Sequence, residues 1–95
     1  MRKYEAMYII SPNLDEAATK ETVEKFQNLI TSHGGEIENL KEMGKRRLAY
    51  EIEEFREGFY VLTTFKSQPD FIAELERVFR ITDSVIRYII VKDVK

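Results

Sequence analysis

From Tyr4 to Ile10 the chain alternates Tyr4, Ala6, Tyr8 and Ile10 against Glu5, Met7 and Ile9, and both sets are largely apolar. Apolar residues at period two on both sides predict a central strand covered on both faces. Ser11-Pro12-Asn13 stops it, and Asp15 is placed to cap a helix, with Glu16 in the first turn favouring the helix dipole. Val23, Phe26, Leu29 and Ile30 then recur at helical spacing, while Lys20, Glu21, Glu24 and Lys25 fall on the water side. His33 lies in the last turn, where a partner for the helix C-terminus is the expected role, and Gly34-Gly35 end the helix.

A second strand is predicted from Glu36 to about Met43, continuing past Gly44 to Ile52, with a turn over residues 53–58. Gly44 marks a place for a kink or bulge. Phe59 to Lys66 is rich in aromatic and β-branched residues. Phe59, Val61, Thr63 and Phe65 occupy one face of that strand; Tyr60, Leu62, Thr64 and Lys66 occupy the other. Ser67-Gln68-Pro69 opens a second helix with a buried stripe of Ile72, Leu75, Val78 and Phe79. Thr82-Asp83-Ser84 break it, and Val85 to Val91 form a last strand, apolar on both faces apart from Arg87.

The order is β-α-β-β-α-β. Right-handed crossovers place both helices on one face of a four-stranded antiparallel sheet, the ferredoxin-like α+β arrangement, with the first and third strands central. If Tyr4, Ala6, Tyr8, Val61, Thr63, Phe65, Ile86, Tyr88 and Ile90 face the helices, the other face has no cover. It would carry Met7, Ile9, Tyr60, Leu62, Ile89 and Val91, with Arg87 among them. Soluble domains seldom leave such a patch open, so a partner protein, RNA bases or a second copy of the chain is expected there.

Composition narrows the chemistry. Ninety-five residues, 43% hydrophobic, predict one domain spanning 1–95. No cysteine is present, which removes disulfides and thiolate metal sites, and His33 is the only histidine. A nucleophile–base pair is therefore not readable. Glu53, Glu54 and Glu57 read as solvated charge in a turn, and the glycines match neither dinucleotide nor phosphate-loop spacing. The expectation is a protein that is not an enzyme and takes no cofactor or metal. Met1-Arg2-Lys3-Tyr4-Glu5 leads into an alternating segment rather than a long apolar one, so a cytoplasmic location is expected.

The formal net charge is −2, yet its distribution is uneven. Acidic residues crowd 15–24, 36–42 and 51–57, while cations gather at Arg2-Lys3, at Lys45-Arg46-Arg47, and around Arg77, Arg80, Arg87 and Lys92. Indiscriminate nucleic-acid binding is disfavoured, but local phosphate-contacting patches are not. On spacing alone, the Lys45 to Arg47 run reads better as a charged edge that discourages sheet-to-sheet association than as a phosphate-contacting patch. Gly58-Phe59-Tyr60-Val61-Leu62 is faintly similar to the aromatic core of an RNA-recognition motif, but Glu57 and Tyr60 depart from that pattern.

A longer resemblance carries more. Met1-Arg2-Lys3-Tyr4-Glu5, Pro12-Asn13-Leu14, Gly44-Lys45-Arg46-Arg47-Leu48-Ala49-Tyr50-Glu51-Ile52, Gly58-Phe59-Tyr60, Leu75-Glu76-Arg77 and Ile81 to Tyr88 follow one another along the chain. In that series it resembles the ribosomal protein S-six family of the bacterial small subunit. The chain stops at Lys95, so features that depend on the longer tail of some members, glutamate addition included, are not implied. The resemblance implies a structural role, pairing with ribosomal protein S-eighteen, and binding to central-domain small-subunit ribosomal RNA near a three-way junction. Under it, Arg2, Lys3, Lys45, Arg46, Arg47 and Arg87 are the expected RNA contacts, acting mainly on phosphates. Met7, Ile9, Tyr60, Leu62, Ile89 and Val91 are the expected partner-facing residues. Tyr4 and Tyr50 are candidates for stacking on a base or sugar, with core packing the competing role. Two rival readings share the topology: a ferredoxin-like ligand-sensing or dimerisation module, and an acylphosphatase-like enzyme. The second needs a phosphate-cradling loop after the first strand, which Ser11-Pro12-Asn13-Leu14 does not supply.

Overall fold

The structure is a computed structural model describing residues 1–52 and 55–92, with side chains described for 1–44 and 58–92. Its elements are β1 (Arg2–Ile10), α1 (Glu16–Ser32), β2 (Glu36–Ile52), β3 (Phe55–Ser67), α2 (Phe71–Ile81) and β4 (Val85–Lys92). The strands form one antiparallel sheet in the order β2-β3-β1-β4, so β1 and β3 are central and β2 and β4 are edges, as the element order predicts. Both helices lie on one face. There Tyr4, Ala6, Tyr8, Ile10, Val61 and Phe65 of the sheet bury against Val23, Phe26 and Ile30 of α1 and Phe71, Leu75, Val78 and Phe79 of α2. This is the ferredoxin-like fold.

Its centre is aromatic. The Phe26 and Phe79 rings stack at 4.3 Å between centroids, Tyr8 tilts against both at 5.2 and 5.1 Å, and Tyr88 stacks on Phe79 at 5.0 Å. Such rings bury large apolar areas and add favourable pair geometry beyond area alone. The Tyr8 hydroxyl has no hydrogen-bond partner among the described residues. Burial, and secondarily the charge of Glu42, push the phenol upward, so it stays neutral.

Local chemistry sets the helix ends. Asp15 Oδ1 accepts from Ala18 N–H at 2.7 Å, the expected N-cap. At the other end Gly34 takes φ +84°, and Gly34 N–H and Gly35 N–H donate to Thr31 O and Ile30 O. α2 starts later than Pro69 suggested. Pro69 and Asp70 form a turn in which Phe71 N–H donates to Gln68 O and Ile72 N–H to Pro69 O, and this turns Phe71 inward. Ile72 packs only at the margin of the core.

Two further differences from the sequence reading matter for function. β3 begins at Phe55, not Phe59, because the hairpin pairs Arg46 with Gly58, Arg47 with Glu57 and Ile52 with Phe55. β1 ends opposite Phe59, so the paired residues 55–58 run past the end of β1 and belong to a strand where a turn was expected, while residues 53 and 54 of that expected turn lie outside the described residues. Ile86 was expected on the helix side. Instead the register slips between Ile9–Arg87 and Ile10–Val85, leaving Ile86 as the extra residue. Val85 packs on the helix-side core, while Ile86 Cδ1 would lie 3.7 Å from a Cβ placed on Gly58, beside Ile9.

Candidate nucleic-acid and partner interface

The open face is an ordered set of rows, because register partners in a sheet share a face. One row is Met7, Leu62 and Lys41 with Ile89 on β4; the next is Ile9, Tyr60 and Gly44 with Arg87. In the other direction come Glu5, Thr64, Asn39 and Val91, then Lys3 with Lys66. All the residues expected to meet a partner therefore lie on this face. They are not equally available. Ile89 is 53% and Val91 43% exposed, whereas Met7, Tyr60 and Leu62 are half-buried. Ile9 is only 6% exposed, a correction to its reading as open surface: Ile86 and the close approach of Gly58 cover it. The apolar opening is thus centred on the edge strand β4.

The cations divide between the two ends. Lys3 and Ile9 stand roughly 20 Å apart along β1, at about 3.4 Å per residue. Arg87 pairs with Ile9, and Lys45 pairs with Phe59 opposite Ile10, so Arg87 and the 45–47 run belong to one end. Three strand spacings, about 14 Å, separate the edges that carry them. Gly44, at φ +78°, adjoins the register slip between Glu42 and Gly44 and leads into that run. The side chains of Lys45, Arg46, Arg47 and Tyr50 lie outside the described residues. Arg2 and Lys3 belong to the other end, with Arg2 exposed opposite Ser67. Tyr4 is buried and stacks on Phe65 at 5.8 Å, which gives it a packing role on the helix side.

A second bulge makes this far end. The register slips between Ile37 and Asn39, so Glu38 is the extra residue and Ile37 and Leu40 both pack on the helix-side core. Glu38 then reaches Lys3 at 3.4 Å and Lys66 at 3.3 Å. Neither Glu38 nor Lys66 was singled out from sequence. The signal available was the alternation of β3, which puts Lys66 on the face of Tyr60 and Leu62; its pairing with Lys3 needed the register.

Other charged groups belong elsewhere. Arg77, on α2, is held by both Glu74 carboxylate oxygens at 2.8 Å, which keeps that carboxyl below the usual range and raises the guanidinium further. His33 Nδ1 lies 3.0 Å from Leu29 O and its ring packs on Phe71, a helix-ending role. A cleft between α1 and the β2–β3 hairpin is lined by Leu14, Glu16, Thr19, Lys20, Glu42 and Phe59. Its one hydroxyl among the described lining residues, Thr19 Oγ1, donates to the backbone oxygen of Asp15. Among the described residues no three His, Asp or Glu side chains converge as on a metal, and no helix is long and apolar enough to cross a membrane.

Residues 3–92 match the family described as Ribosomal protein S6. The small ribosomal subunit protein bS6 of Halalkalibacterium halodurans is 60% identical over 93 residues, covering 98% of each chain. That of Clostridium novyi is 50% identical over 95 residues, the full length of both. Among solved structures, the crystal structure of 30S ribosomal protein S6 from Thermotoga maritima superposes with a TM-score of 0.93 at 35% identity, covering 97% of this chain and 87% of that one. The chain belongs to the ribosomal protein S6 family, structural and non-enzymatic components of the bacterial small ribosomal subunit in the cytoplasm.

Proposed function

We propose that this single domain helps build the small ribosomal subunit by binding central-domain ribosomal RNA together with ribosomal protein S-eighteen. The observation that carries the reading is the open sheet face, with exposed Ile89 and Val91 on an edge strand and cations at both ends. Helices cover the other face, so the docking surface for a protein is the open one. Arg2, Lys3 and Arg87, with Lys45, Arg46 and Arg47 of the hairpin, supply phosphate contacts around it. A net charge of −2 fits joint binding, because an acidic chain gains little from RNA without a companion contributing positive charge.

The test is titration of a fluorescent central-domain junction RNA with this protein alone, with S-eighteen alone, and with both. Tight, salt-sensitive binding that needs both proteins is expected. Absence of binding with a folded, competent S-eighteen overturns the reading. A concentration-dependent mass without RNA binding would instead fit the dimerisation module.

A further inference from the structure

At the far end of the open face Lys3 and Lys66 are direct register partners, so two ammonium groups share one row. Like charges set opposite each other in an antiparallel pair are unfavourable unless something neutralises them. The Glu38 carboxylate does so, with Oε1 3.4 Å from Lys3 Nζ and Oε2 3.3 Å from Lys66 Nζ. One oxygen to each lysine is also how the two non-bridging oxygens of a phosphodiester would engage them. We infer that Lys3 and Lys66 form a two-lysine site for an RNA backbone phosphate, and that the Glu38 carboxylate takes the phosphate's place in the free protein.

The geometry favours exchange. Both contacts are longer than the roughly 2.7–2.9 Å of a strong charge-assisted hydrogen bond. The side chains of Lys3, Lys66 and Glu38 are 40%, 44% and 33% exposed, so water and salt screen the pairs and an incoming anion reaches them without unpacking the core. Lys66 first and Lys3 second hold the Glu38 carboxyl below its ordinary range, so it stays an anion near neutrality and can substitute for a phosphate. Counterions released from RNA add a driving force that an internal carboxylate lacks. Arg2, exposed on the same strand, adds positive charge at this end. The inference rests on the RNA-binding reading above and extends it to a residue pair that the basic runs of the sequence do not contain.

The test measures affinity for the junction RNA over a salt series, with S-eighteen present, for the wild type and four variants. Lys66→Gln is expected to weaken binding about threefold and lower the salt slope by about 0.7–0.9, one phosphate contact. Glu38→Gln is expected to tighten binding about threefold, because the competing anion is gone. Lys20→Gln and Glu24→Gln make the same charge changes on α1 and are expected to leave both quantities near wild type. Equal effects for Lys66→Gln and Lys20→Gln, or weaker binding by Glu38→Gln, overturn the inference while wild-type binding leaves the parent reading standing. A wild type that does not bind overturns both. Thermal melts of each variant confirm that the fold is unchanged.

Discussion

The two faces of the sheet are made by the same four strands and differ only in which alternate residues they present. On the covered face, Tyr8, Phe26, Phe79 and Tyr88 interlock, and Ile10, Val61, Phe65 and Leu75 are fully buried. On the open face, apolar residues of comparable size leave Ile89 53% and Val91 43% exposed. Hydrophobicity alone does not decide a residue's energetic role; what packs over it does. The covered face supplies stability now, and the open face holds back apolar area that only a partner can bury.

Substitutions should separate the faces by magnitude. Phe26→Ala or Phe79→Ala should cost about 3–5 kcal/mol in chemical denaturation, because each removes a ring from the central stack. A loss under about 1 kcal/mol would mean that the stack is not the core. Gly58→Ala comes next. A Cβ there would overlap Ile9 Cγ2 and crowd Ile10 O, and a β-branched side chain cannot easily rotate away. The expected cost is about 1–3 kcal/mol, which would show the open face to be closely packed at this one end. Gly44 has open space around its Cβ position, so Gly44→Ala pays mainly for φ +78°, about 1 kcal/mol.

Smaller effects are expected on the open face proper. The double substitution Ile89→Ser/Val91→Ser should change stability by less than about 0.5 kcal/mol per site, yet weaken S-eighteen binding at least about tenfold. Unchanged binding, measured by calorimetry, would move the partner off β4. Arg46→Ala/Arg47→Ala should leave the melting temperature nearly unchanged and lower the RNA salt slope by about 1.4–1.8. A large stability loss with an unaltered slope would give those arginines a structural role instead. The smallest effect is electrostatic. Lys66 and Lys3 lower the Glu38 carboxyl, so its stabilising contribution is present above the ordinary carboxylate range and is lost as pH falls through the lowered value. The melting temperatures of wild type and Glu38→Gln should therefore differ slightly near neutrality and converge in acid.

How much of this was legible in the chain follows from what periodicity encodes. Element order, the central position of β1 and β3 and the Asp15 cap are written in local alternation and capping chemistry, and each appears in the structure. Bulges are not. A single extra residue at Glu38, at Met43 and at Ile86 reverses the facing of everything after it on that strand, and no composition signal marks those positions except Gly44. That is why Ile86 was assigned to the wrong side and why the Lys3–Glu38–Lys66 group was not foreseen. The extent of β2 to Ile52 follows from its alternation, whereas the start of β3 at Phe55 was missed because Phe55-Arg56-Glu57-Gly58 carries no apolar alternation. Burial also escapes pattern reading, as Ile9 shows, since its cover comes from a glycine on one neighbouring strand and a bulged residue on the other.

The most direct test of the contrast between the faces is methyl NMR of this protein titrated with S-eighteen. Shifts are expected at Ile89, Val91 and Leu62, with Val23 of α1 and Leu75 and Val78 of α2, buried on the covered face, unmoved. Shifts confined to α1 and α2, with β4 silent, would contradict that contrast.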